Sequence, residues 1–194
     1  MTTKTEIVSD AFTNLGRRPV SDIGPSSAEP IVITASKRYD VLVLNYLGKS
    51  PWRFAMLTRD LNLLVDKPPV EQFSQAFQLP SDYLNMRELR PLGAPYRIYE
   101  DKVYINSNKV QIDYTAKVDE SRFSAQFVLF MGYRLAADMA MPVTQNINIQ
   151  KGWAAQAKIQ LLEALYQDSQ QQPNDVMLLD PIVAAHFGSV RRAG

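Results

Sequence analysis

The feature that most constrains this chain is a hydrophobic period that changes twice along it. Near the start, Ile7, Val8, Ala11, Phe12 and Leu15 recur on one helical face behind Thr3-Lys4-Thr5-Glu6. That tetrad reads as a capping box, in which a threonine hydroxyl and a glutamate three residues on satisfy each other's orphan N–H groups. Gly16 is a natural left-handed stop, and Pro19 keeps the helix from resuming. A second box, Ser26-Ser27-Ala28-Glu29, precedes Pro30, which the first turn tolerates because its N–H groups have no intrahelical partner. Ile31, Ala35, Tyr39, Leu42 and Tyr46 follow at helical spacing, so helices are predicted over about 4–15 and 27–48.

From Pro51 the period drops to two. Trp52, Phe54 and Met56 alternate with Arg53, Ala55 and Leu57, as in a strand. Pro68-Pro69 interrupts, after which Phe73, Phe77 and Leu79 share one parity. Residues 96–99 and 103–105 around Glu100-Asp101 predict a hairpin, and Val110, Ile112 and Tyr114 alternate cleanly with their neighbours. Helix returns after Asp119, with Phe123, Phe127, Phe130, Met131 and Leu135 in a stripe that Pro142 is expected to stop. Thr144 is the expected cap of a long last helix carrying Ile147, Trp153, Ile159, Leu162, Leu165 and Tyr166 to about residue 171, with Gly152 as its weak point.

These readings define an α+β fold: an antiparallel helical bundle of about four helices with a small antiparallel β-domain inserted in it. The expected division is residues 1–50 and 117–172 for the bundle, 51–116 for the β-domain, and 173–194 for an extended C-terminal docking tail. The tail follows a polar linker, Gln170 to Asp175. It carries Val176, Met177, Leu178, Leu179, Ile182, Val183 and Phe187, then Arg191 and Arg192. An apolar string beyond a linker asks for a partner, and these nine residues are the candidate docking residues.

Composition narrows the function. Twenty-one Lys+Arg against 20 Asp+Glu leave the chain almost neutral, which argues against a free-standing nucleic-acid binder that must neutralise phosphates. With no cysteine, disulfides and thiolate metal sites are excluded, in keeping with assembly in a reducing cytoplasm. The start lacks a signal-peptide stretch and no window approaches a membrane span, so a soluble chain without membrane contact is expected.

Catalytic chemistry is hard to place. His186 is the one histidine, and only carboxylates stand ready to complete a metal site around it. Asp180, His186 and Ser189 mimic a compressed hydrolase triad, but a triad needs a buried, oriented base and an oxyanion hole. No glycine-rich phosphate cradle occurs. The Phe123, Phe127 and Phe130 stripe reads as core packing rather than a ligand pocket. The acid pairs Glu100-Asp101 and Asp119-Glu120 are explained by turns and helix starts. No catalytic, cofactor-binding or metal residues are assigned, and an enzyme is not expected.

Several short stretches resemble one family. They are Asn14-Leu15-Gly16-Arg17-Arg18-Pro19-Val20, Ala35-Ser36-Lys37-Arg38-Tyr39 and Ser50-Pro51-Trp52-Arg53-Phe54-Ala55. The most specific is Phe77-Gln78-Leu79-Pro80-Ser81-Asp82-Tyr83-Leu84, followed by the paired strands from Tyr96 to Ile105 and by Leu135-Ala136-Ala137 running into Met141-Pro142-Val143-Thr144. In this order, over roughly residues 5–145, they resemble the tail tubular protein A family, the head-to-tail adaptors of short-tailed bacteriophages (podoviruses).

The resemblance implies a virion structural protein of the tail or neck, assembled in the host bacterial cytoplasm. It implies a homo-oligomeric, dodecameric ring between the portal protein and the tail nozzle protein, with genomic DNA passing through the lumen without sequence-specific contact. The tail after about residue 172 lies outside it, so docking there rests on the residues themselves. Another oligomeric phage scaffold, a nucleic-acid-binding module and a ligand-binding bundle are the competing classes. Arg17, Arg18, Lys37, Arg38, Arg191 and Arg192 are expected either to face the portal or DNA channel or to be ordinary solvated surface.

Overall fold

The computed structural model describes residues 2–24, 29–65 and 72–170. Within them four α-helices and two antiparallel sheets form an α+β fold. Helix α1 spans Lys4–Asn14 behind the expected capping box: Thr3 N–H donates to Glu6 Oε2 at 2.8 Å, and Glu6 N–H to Thr3 Oγ1 at 3.3 Å. It ends where Gly16 adopts φ +73°. There the Gly16 N–H reaches the Thr13 carbonyl and the Arg17 N–H the Phe12 carbonyl, which ties off two orphan acceptors.

Helix α2 is Pro30–Lys49. It starts later than the sequence predicts, and Glu29 stands at the N-cap with no side-chain bond, not three residues into the helix. The ring of Pro30 explains this, since a residue preceding proline is pushed out of the helical region; Glu29 has φ −59° and ψ 147°. Most of the expected second box, Ser26 to Ala28, lies outside the described residues.

The expected strand at Trp52–Phe54 is a 3-10 turn, Arg53–Ala55, and the first strand begins only at Met56. Tertiary contacts override the alternation here. The Trp52 indole N–H donates to the Tyr46 carbonyl at 2.7 Å, and the Trp52 ring packs on Phe54 and Phe127, with centroids at 5.7 and 4.8 Å. Strands β1 (Met56–Asp60), β2 (Asn62–Leu63), β3 (Gln75–Gln78), β4 (Tyr83–Arg90), β5 (Tyr96–Tyr99), β6 (Lys102–Ile105) and β7 (Gln111–Ala116) follow. They form one sheet in the order β1-β7-β4 and another in the order β2-β3-β6-β5. In the first, β7 is central, with Leu57 opposite Tyr114, while β4 carries two register shifts against it. The β5–β6 hairpin turns through Glu100-Asp101 as expected, with Glu100 at φ 54°.

After a 3-10 turn at Glu120–Arg122, helix α3 (Ala125–Thr144) is capped by Ser124, whose hydroxyl accepts from the Phe127 N–H. It does not stop at Pro142 but runs two residues further, to a left-handed Gln145. Pro142 is exposed in the last turn, so it removes one helical bond without driving its ring into the core. Helix α4 is Ile147–Gln170 and continues unbroken through Gly152. Its cap is Asn146, whose Oδ1 accepts from Asn148 N–H at 2.9 Å and Ile149 N–H at 3.4 Å. Thr144, the expected cap, instead bonds back to the Ala140 carbonyl in α3.

Helix α3 is central to the helical layer and packs against α1, α2 and α4. Among the described residues all strands fall within 51–116 and all α-helices outside that range. One apolar core nevertheless runs through both: Ile7, Tyr39, Trp52, Ile112, Tyr114, Phe127 and Leu135 belong to it. A small second cluster, Phe73, Ala76 and Tyr104, covers another part of the β2-β3-β6-β5 sheet.

Candidate interaction surfaces

Helix α4 fully buries an unusual set of positions. The residues it buries are small or polar: Ala157, Gln160, Ala164 and Asp168. Two alanines a double turn apart allow α3 and α4 to approach closely, and the two polar groups are paired. Gln160 Nε2 donates to Gln126 Oε1 at 2.6 Å. The Asp168 carboxylate accepts the Arg53 backbone N–H at 3.1 and 3.2 Å, tying the end of α4 to the 3-10 turn. Burial raises the Asp168 pKa above the usual carboxylate range, with the Arg53 N–H and guanidinium opposing it.

The large apolar side chains of α4 divide: Ile149, Trp153, Leu161 and Leu165 are half-buried against the core, and another set points outward. Ile159, Leu162 and Tyr166 are 60, 61 and 66% exposed, and their 3,4 spacing sets them in one row along the helix. The row continues toward Gly152, where a shallow groove is lined by Tyr133, Ile149, Gly152, Trp153 and Gln156. A second exposed apolar pair lies on α2, at Val41 (59%) and Leu44. The β5 edge of the four-stranded sheet offers Tyr96 and Tyr99, the latter accepting from Arg97 at 3.0 Å.

A cleft of 680 Å³ opens beside the end of α1, lined in part by Phe12, Arg17, Arg18, Glu29 and Val143. Arg17 donates to the Val143 carbonyl at 3.1 Å, so it closes the C-terminal end of α3, a favourable place for a cation. Lys37 and Arg38 are exposed on α2 and are not part of this lining. Arg17 and Arg18 thus border the cleft, and Lys37 and Arg38 lie on solvated surface elsewhere. The expected docking residues Val176, Met177, Leu178, Leu179, Ile182, Val183, Phe187, Arg191 and Arg192 lie outside the described residues, as do Asp180, His186 and Ser189.

Phe127 and Phe130 are fully buried and sit in a chain of ring contacts that includes Phe123, Phe54 and Trp52, which makes the stripe core. Asp101 accepts from Gln78 Nε2 at 2.7 Å beside the hairpin turn. Glu120 faces the wholly buried Tyr39, whose hydroxyl is held far above its ordinary pKa by burial first and by that carboxylate second. Among the described residues no three His, Cys, Asp or Glu side chains gather as metal ligands. No described helix is long and apolar enough to cross a membrane.

In the most specific of the resembling stretches, Asp82 is a junction. Its carboxylate accepts the Tyr114 hydroxyl at 2.9 Å and faces Arg59 at 3.6 Å, and its carbonyl accepts the Lys117 N–H at 2.7 Å. Burial, with Asp82 as the hydrogen-bond acceptor, pushes the Tyr114 phenol up to about 12. Compared with known protein families and with curated proteins, the chain matches none.

Sequence reasoning placed the large residues of α4 on its helix but did not see that Trp153 and Leu165 face the core while Ile147, Ile159, Leu162 and Tyr166 face outward. The signal was present: Ala157, Gln160, Ala164 and Asp168 form a second row at helical spacing. Two rows competed, and only packing against α3 selects between them.

Proposed function

We propose that this chain is a structural, non-enzymatic subunit that assembles with copies of itself into a ring. In this reading it is a head-to-tail adaptor of a short-tailed phage, seated between portal and tail nozzle, with DNA passing through the ring without sequence-specific contact. The observation that carries the proposal is the pair of outward apolar faces, on α4 and on α2. A head-to-tail contact needs two different complementary patches on one subunit, and repetition of that contact about an axis closes a ring. The ordered motifs at helix and sheet junctions support the particular assignment to a head-to-tail adaptor. The finer architecture, a bundle with an inserted β-domain, belongs to the same reading: the helical part would supply the lateral contacts and the strands would face the nozzle.

The test is solution mass by light scattering, alone and after mixing with the cognate portal protein. The expected outcome is a large, stoichiometric complex with the portal. A subunit that stays monomeric and ignores the portal would remove the adaptor assignment.

A further inference from the structure

We propose that the free subunit pairs with a second copy of itself through the outer row of α4, as a parallel two-stranded coiled coil. This goes beyond the ring reading: the dimer uses one face twice, whereas a ring joins two different faces. The row cannot serve both contacts at once, so the dimer belongs to the unassembled chain.

The row has the spacing of a coiled-coil seam. Gly152, Ala155, Ile159, Leu162, Tyr166 and Ser169 alternate in steps of three and four, and all of them are exposed. That alternation averages about 3.5 residues, the period at which one stripe stays turned toward a partner helix. Ile159 and Leu162 hold the two seam positions at its centre, a β-branched residue followed three later by leucine. This combination favours two parallel strands. Gly152 and Ala155 leave the other end of the seam slim enough for the helices to approach.

Charge selects the partner and its direction. Lys158 and Glu163 flank the centre of the seam on opposite sides. Both are exposed, and neither forms an ion pair among the described residues. Their spacing keeps them from meeting on one helix. In a parallel pair, however, each flanking residue meets the one five positions later on the other strand. Lys158 of each copy then faces Glu163 of the other, and the two-fold axis makes the contact twice. An antiparallel pair would instead crowd Lys158 and Lys151 of one copy against the same lysines of the other. With only Ile159, Leu162 and Tyr166 as large side chains per copy, the contact belongs at the small end of specific interfaces, about 1,200 Å² in total. The dimer is therefore weak, forming at about 10–100 μM.

Sedimentation of the full chain across that concentration range should show the mass rise from one copy to two. Lys158→Glu and Glu163→Lys should each weaken the dimer by about tenfold, because each replaces two attractions by two repulsions. The double variant carrying both should recover to within about threefold of the parent. A chain that stays monomeric throughout, or a double variant no tighter than the singles, would overturn the proposal. The chain has no cysteine, so introduced thiols report without background. Ala155→Cys chains are mixed with an equal amount of Leu44→Cys chains, on α2, and oxidised. The expected bridges join position 155 to position 155, which only a parallel pair sets side by side. Bridges joining 155 to 44 instead would overturn the dimer and give the row to α2 of a neighbour. Light scattering of the charge variants with portal reads the ring separately, so either idea can fail alone.

Discussion

Asp168 sits in the last turns of α4 with its carboxylate on the Arg53 N–H, a group that the 3-10 turn cannot satisfy internally. Its pKa is raised in the folded state, so the fold binds that proton more tightly than the unfolded chain. The stability it contributes is therefore greatest at acid pH and falls as pH rises from the unfolded carboxylate range through the raised value. Asp168→Asn keeps an acceptor and removes the buried charge. Urea unfolding should find it within about 1 kcal/mol of the parent at pH 7, with its relative standing declining as pH drops toward 4. Asp168→Ala, which orphans the Arg53 N–H, should lose about 1–3 kcal/mol. Trp52 is the other residue on which much depends: it is fully buried, with its indole N–H satisfied. Trp52→Ala should cost about 3–5 kcal/mol in the same assay. Gly16 was legible as a stop from sequence because its φ of +73° is one that only glycine adopts without cost.

At the scale of elements, α4 separates what holds the subunit together from what is offered outside. Its inner alanines set the distance to α3, so Ala164→Leu should overpack that contact and destabilise by about 1–3 kcal/mol, read as a lower melting temperature. Leu162→Gln on the outer row should leave helical content by circular dichroism unchanged while weakening assembly with the portal. Most element positions were legible because caps, stops and parity are local. Thr3 with Glu6 and the Glu100-Asp101 turn are cases. The misplacements share a cause: at Trp52–Ala55, Pro142 and Thr144 a plausible local signal met a stronger neighbour. These neighbours were the aromatic cluster, an exposed last turn that tolerates proline, and Asn146 two residues on.

For the whole molecule, helices and strands share one core, so damage to the sheet should be felt by the helices. Unfolding followed by tryptophan fluorescence and by far-ultraviolet circular dichroism should therefore coincide. Deleting residues 173–194 should leave the subunit folded and abolish portal docking; intact docking by the truncated chain would relocate the joint elsewhere. Neutralising Arg191 and Arg192 should weaken portal binding more at low salt than at high salt, because exposed charges are screened. Equal binding at both would make their charge incidental.

The sequence by itself determined the order of the helices, the α+β class and the β5–β6 turn, because periodicity, capping and glycine stops act over a few residues; β2 and β4 it did not reveal. It also excluded cysteine chemistry outright. Only the tertiary structure decided which of two rows on α4 is buried, because both are helical and only the close approach of α3 selects the alanines. That choice leaves Ile159, Leu162 and Tyr166 outside, and a long-range packing decision is what turns an ordinary helix into a surface in need of a partner.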